Sequence, residues 1–176
     1  STNPDMVCFS TPTYCYKSHM ELSRLLRKEA PHVTICAGGV HPTLLPRVML
    51  RNPEVDFVVV GEGENSFPKL VTDIEHYGVK AVKAMPVDAH PGCWNVHDGE
   101  IVDRGFSPTV ANLDTVPFPE KRLHFQSNPS LQPIYATMSS RGCVFTCTFC
   151  NSASLNKQYR EEGNSKFYRM RSVDNV

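Results

Sequence analysis

The first 78 residues switch between two hydrophobic periods. Short apolar or β-branched runs at 6–10 (MVCFS), 33–39 (VTICAGG) and 55–64 (VDFVVVGEGE) predict buried strands, the last two ending on glycines. Between them, Met20, Leu22, Leu25 and Leu26 place an apolar side on a helix at 18–30, and Phe67, Leu70, Val71 and Ile74 stripe a second helix at 64–77. The stretch 43–50 (TLLPRVML) predicts a short helix or turn broken by Pro46. Strands this continuously apolar, joined by helices, need covering on both faces, so this part is α/β with a doubly wound, parallel sheet.

The pattern then loosens. Residues 79–130 hold many prolines, an HDGE turn (97–100) that predicts a small hairpin, and an LDTVPFPE stretch (113–120) held extended by its prolines. We read 79–130 as a linker between an α/β unit at 1–78 and a further unit at 131–176, which opens on a strand at 133–140 (PIYATMSS).

Composition narrows the function classes. Formal charge is zero and the pI is near 7.0, so nothing favours electrostatic capture of nucleic acid or of an anionic membrane. There is neither a signal peptide nor an apolar run long enough to span a bilayer, and seven cysteines in 176 residues are too sparse for a secreted disulfide framework. The expectation is a soluble, cytoplasmic protein, with Cys8 and Cys36 as small buried hydrophobes. Ser1 opens the chain without an initiator Met, and Ser172 caps a helix that has barely begun, so an internal fragment of a longer protein is expected.

In a doubly wound sheet, ligands bind beside the loops that follow the strands. Those loops are STPT (10–13), GGVHPT (38–43) and GEGE (61–64). Their glycines let backbone approach a flat or phosphate-bearing ligand, or simply permit tight turns. Glu62 and Glu64 suit a ligand contact or a helix N-terminus, and His41 suits a ligand or a loop hydrogen bond.

The sharpest signal lies in SSRGCVFTCTFC (139–150). Cys143, Cys147 and Cys150 are separated by three and then two residues. Structural zinc and electron-transfer 4Fe-4S clusters take four protein ligands, whereas three thiolates on one loop suit a cubane with one open iron. The alternative is a non-catalytic scaffold in which zinc borrows its fourth ligand from elsewhere.

C-x3-C-x2-C with Phe149 before the last cysteine, on a loop after a strand, resembles the cluster loop of the radical S-adenosylmethionine superfamily. PDMVCFSTPT, the run from AGGVHPT to GEGENSFPKLV, LDTVPFPE and SSRGCVFTCTFC resemble, in order, stretches of its subgroup with an N-terminal cobalamin-binding domain, which includes methyltransferases and ring-forming cyclases. The resemblance implies the C-terminal part of a flavodoxin-like (Rossmann-like) cobalamin-binding domain, a linker, and the first strand and cluster loop of a partial (β/α) TIM barrel. It makes Cys143, Cys147 and Cys150 ligands of a 4Fe-4S cluster and puts Phe149 near the adenine of S-adenosylmethionine. Ser10, Thr11, Gly38, Gly39, Val40, His41, Glu62 and Gly63 match positions that contact cobalamin. The implied chemistry is reductive cleavage of S-adenosylmethionine to a 5'-deoxyadenosyl radical acting on a small-molecule substrate, with flavodoxin or ferredoxin as electron donor. The D-x-H-x-x-G motif that ligates cobalt in many such domains is absent, so no cobalt ligand is assigned.

Overall fold

The computed structural model describes residues 3–131, 137–163 and 167–176, the side chains of His124 and Leu131 excepted. Strand β1 (Met6–Ser10) leads into helix α1 (Tyr16–Glu29), β2 (Thr34–Gly38), two short helices α2 (Val40–Leu44) and α3 (Pro46–Leu50), and β3 (Phe57–Val59). Helices α4 (Gly63–Tyr77) and α5 (Val79–Lys83) then precede the hairpin β4 (Cys93–His97) and β5 (Glu100–Val102). The five strands form one sheet in the order β1-β2-β3-β4-β5. The first three are parallel, in a register that sets Cys8 opposite Cys36 and Cys36 opposite Phe57. The last two run antiparallel.

Period-two alternation distributes the core over two faces. Ala37, Val58 and Val60 meet Met20 of α1 and Met49 and Leu50 of α3 on one face; Cys36, Phe57 and Val59 meet Leu70 of α4 and Val82 of α5 on the other. Pro46 supplies the helix break, because it opens α3 at its first position and leaves Leu45 between the two short helices. In α1 the buried line runs through Met20 and Ser23, not through Leu22 and Leu25, which are exposed. Ser23 tolerates that place because its hydroxyl donates to the His19 carbonyl at 2.8 Å.

The small hairpin expected within 79–130 is present and joins the sheet. Asp98 and Gly99 both adopt positive φ, as a tight two-residue hairpin turn requires, but β4 pairs with β3 and extends the sheet instead of standing apart. Its five residues include a fully buried Asn95, which donates to the Lys83 carbonyl at 3.1 Å and accepts from Arg104 at 3.3 Å. A buried, satisfied polar residue in so short a strand breaks the apolar run by which a core strand is read. Likewise, Leu113–Thr115 forms a 3-10 turn capped by Asn112 before the chain becomes extended.

Beyond α6 (Lys121–Ser127), the first half of the strand expected at 133–140 lies outside the described residues, and of the described half only Ser140 is in a strand. What is described is β6 (Ser140–Arg141), the cysteine loop, α7 (Asn151–Glu161) and β7 (Arg169–Met170). β6 pairs antiparallel with β7, and the described residues show no barrel. The segment packs on the α/β unit through Tyr159 of α7, 6% exposed, whose ring lies 5.2 Å from both Phe106 and Phe167.

Candidate functional site

The three loops after the parallel strands are knitted at one edge. Thr11 N–H donates to Gly38 at 2.8 Å, His41 N–H to Thr11 at 3.0 Å, and Gly61 N–H to the Thr43 hydroxyl at 3.1 Å. They border an open groove of about 310 Å³ lined by Cys8, Phe9, Ser10, Cys36, Gly38, Gly39, Val59, Gly61, Gly63 and Phe67. Gly39 has φ +97°, and a Cβ there would stand 3.1 Å from Thr11 N and 3.2 Å from Ser10 Oγ. No other residue allows these two loops so close an approach. The groove offers exposed backbone and flanking aromatic rings, a cradle suited to one side of a broad, flat ligand such as a corrin.

Of the residues named from sequence, Ser10, Gly38, Gly39 and Gly63 meet at this groove. Thr11, Val40, His41 and Glu62 are not in its lining. Thr11 is fully buried, its hydroxyl 3.0 Å from His19 Nδ1. Val40 starts α2. His41 is buried with its ring 4.6 Å from that of Tyr16, and Nδ1 lies 3.2 Å from the Thr13 hydroxyl. Glu62 turns toward the cysteine-bearing segment: its carboxylate accepts from both Arg169 Nη atoms and from Val110 N–H at 2.9 Å.

Sequence reasoning named Gly61 among the loop glycines but did not place Cys8, Phe9, Cys36, Val59 or Phe67 at the groove. The pairs Cys8/Ser10, Cys36/Gly38 and Val59/Gly61 lie two residues apart, so strand alternation from the loop residues was the usable signal. Cys8 is exposed, contrary to expectation, while Cys36 is buried. A hydrogen bond between the two thiols lowers Cys8 and raises Cys36, which burial raises further. Burial pushes Cys93, also in the sheet, up to about 12. Cys36 and Cys93 are therefore held as neutral thiols, in keeping with core packing.

The cysteine loop lies at the surface. Cys143 is half-buried; Cys147 and Cys150 are exposed and joined by a turn in which Cys150 N–H donates to Cys147 at 3.2 Å. Cys150 is the N-cap of α7, and a hydrogen bond with the Ser152 side chain lowers its thiol. Phe149 is 92% exposed. Gly142, at φ +82°, lies so close to Phe167 O that a Cβ there would collide with it. In number and softness these donors fit an iron–sulfur cluster with one open iron, but their side chains are not converged: among the described residues no three Cys, His, Asp or Glu are grouped closely enough to hold a metal. No helix among the described residues is long and apolar enough to cross a membrane.

Burial lowers the pKa of His41, and that of His90 despite its 2.8 Å contact with Asp73. Both native pKa values thus lie below the ordinary 6.5, so the unfolded chain takes up protons first as pH falls. Their contribution to stability is complete above pH 6.5 and is lost as pH falls through that value toward the native pKa values. The melting temperature is expected to fall between pH 7.5 and 5.5, and less steeply in His41→Gln. A midpoint that is flat or rises on acidification contradicts this.

Residues 1–71 match the B12 binding domain. Over 162 residues the chain is 27% identical to an uncharacterized methyltransferase of Pyrococcus horikoshii, covering 90% of this chain and 34% of that protein. It is 28% identical over 166 residues to the anaerobic magnesium-protoporphyrin IX monomethyl ester cyclase of Rubrivivax gelatinosus, covering 89% and 28%. Against the cobalamin-dependent radical SAM methyltransferase TokK of Streptomyces tokunonensis it is 25% identical over 160 residues, covering 86% and 22%. The chain spans about a third or less of the length of these relatives.

Proposed function

From a chain whose residues 1–71 match the B12 binding domain and which resembles a radical SAM methyltransferase and a cyclase, we propose that the protein containing it is a cobalamin-dependent radical S-adenosylmethionine enzyme of the methyltransferase or cyclase type. One observation carries the reading: a glycine-lined groove at the carboxyl edge of the parallel strands is tied, within the same chain, to a loop of three surface cysteines.

In this reading Ser10, Gly38, Gly39 and Gly63 present backbone and a small hydroxyl to the corrin, while Phe9 and Phe67 flank it. Thr11 and His41 act behind that edge, holding the loops together through the backbone bond between them. Cys143, Cys147 and Cys150 would hold three irons of a 4Fe-4S cluster, leaving one for S-adenosylmethionine, and the Phe149 backbone would contact its adenine. When bound, the cluster and S-adenosylmethionine supply one-electron cleavage to a 5'-deoxyadenosyl radical, and cobalamin supplies methyl-group or radical chemistry. The protein's part is to converge the thiols, orient the ligands and exclude water from them. A small-molecule substrate, a flavodoxin or ferredoxin as electron donor, and a cytoplasmic setting belong to the same proposal.

The test is isolation of the full-length protein under anaerobic conditions from cells supplied with hydroxocobalamin. About one corrinoid per chain, read from the absorbance spectrum, is expected. If equilibrium dialysis also finds none bound, the α/β unit serves only as a packing partner.

A further inference from the structure

The segment Gly61-Glu62-Gly63-Glu64 has two sides. Gly61 and Gly63 line the groove, whereas Glu62 and Glu64 reach the cysteine-bearing segment. There β6 and β7 place Arg141 directly opposite Arg169. Like charges directly opposed across two strands repel, and Arg169 is only 5% exposed, so the pairing needs a carboxylate close to both. Glu62, itself 10% exposed, supplies it: it pairs with Arg169 through both oxygens and lies 3.6 Å from Arg141, while Arg141 also pairs with Glu64. Arg169 in turn donates to the Val110 carbonyl at 2.6 Å, and Glu62 accepts from the Val110 amide, so the chain between the two halves is clamped in the same network. Arg141 stands two residues before Cys143.

We infer that Glu62 is a positioning residue that fixes the cysteine loop to the groove edge through Arg169 and Arg141, and not a contact to the groove's ligand. This deepens the function proposed above and rests on it for the use of the geometry, since the two halves must meet for a group held on the cysteines to act beside one held in the groove. The spacing has a physical reason: glycines leave backbone free on the ligand side, and the intervening carboxylate reaches the other half directly, with Val110 of the connecting segment held between them.

The test uses the full-length protein, first without added cofactors. Hydrogen exchange at amides 140–143 and 167–171 is expected to rise about tenfold in Glu62→Gln and in Arg169→Gln, because each leaves a charge-assisted network incomplete. The double variant is expected to be little worse than either single, as for one shared interaction. Amides 34–38 and 57–59 keep the wild-type rate. After loading with hydroxocobalamin and reconstitution with iron and sulfide, corrinoid per chain is unchanged in Glu62→Gln. After reduction with dithionite, which supplies one electron to cobalt and one to the cluster, the cob(II)alamin EPR signal is expected to be broadened by the reduced cluster in the wild type and in Glu62→Asp, and to narrow in Glu62→Gln. The inference is overturned by unchanged exchange at 140–143 and 167–171, by a rise spread through the sheet, by loss of corrinoid without faster exchange, or by equal line widths in all three proteins. Should Glu62→Gln fail to fold, Arg141→Gln, on the more exposed guanidinium, is read in the same way. A wild-type protein that holds no corrinoid overturns the functional reading, and the exchange measurement still decides the positioning role.

Discussion

Replacing any one of Cys143, Cys147 or Cys150 by alanine is expected to abolish retention of iron and sulfide by the reconstituted full-length protein, from about four of each per chain to a background level. The size of the effect follows from ligand number. A cluster already open at one iron has no spare protein ligand, and the loop offers none: the surrounding residues of 139–150 are Ser, Arg, Gly, Val, Thr and Phe. Exposure of Cys147 and Cys150 lets a metal reach them at little cost in desolvation, and a hydrogen bond with the Ser152 side chain lowers the Cys150 thiol from its ordinary value. The loop must still close on the metal, because its side chains stand unconverged. Cys8, Cys36 or Cys93 changed to alanine is expected to leave iron and sulfide content unaltered, since these thiols belong to the sheet. Iron and sulfide content, measured chemically and by visible absorbance, checks both halves of the statement.

The second large effect is at the groove. Gly38→Leu is expected to weaken corrinoid binding by roughly 100-fold or more, since a branched side chain would occupy the space that the backbone now leaves open. Position 38 is the informative one. A Cβ there would meet Val59 Cβ at 3.7 Å, an ordinary contact, and its φ is not in the left-handed region, so Gly38→Ala is expected to keep stability within about 1 kcal/mol. Gly39→Val behaves differently, because at φ +97° its side chain would press on Thr11 N and Ser10 Oγ and pull the loops apart. It is expected to lose the fold of the edge together with the ligand. Equilibrium dialysis against hydroxocobalamin, beside urea unfolding, separates the two. Gly38→Leu that binds as tightly as the wild type removes the groove from consideration as a corrin site.

How far the sequence disclosed this arrangement differs from one element to the next. The strands β1 to β3 were readable from their apolar runs and helix α4 from the helical spacing of Phe67, Leu70, Val71 and Ile74, and the glycines at the ends of β2 and β3 mark the edge where the groove lies. The hairpin was readable as a hairpin from Asp98-Gly99, but its place in the sheet was not, since Asn95 hides its buried side and prolines surround it. The role of Glu62 was not readable at all. Its partner Arg169 lies 107 residues away, and a glutamate between two glycines after a strand suits a ligand contact or a helix N-terminus equally well. The three cysteines stand out as the proposed ligand set by count and spacing alone, because three thiols on one loop with no fourth leave few metal chemistries open.

The central claim, that a cysteine loop and a glycine-lined groove in this chain serve one radical enzyme, is tested most directly by product analysis. The full-length protein, reconstituted anaerobically with iron, sulfide and hydroxocobalamin, is incubated with dithionite and S-adenosylmethionine and the products are separated by chromatography. Formation of 5'-deoxyadenosine and methionine, lost in the Cys147→Ala protein, is the predicted result. A protein that instead carries stoichiometric zinc without sulfide, and leaves S-adenosylmethionine intact, contradicts it.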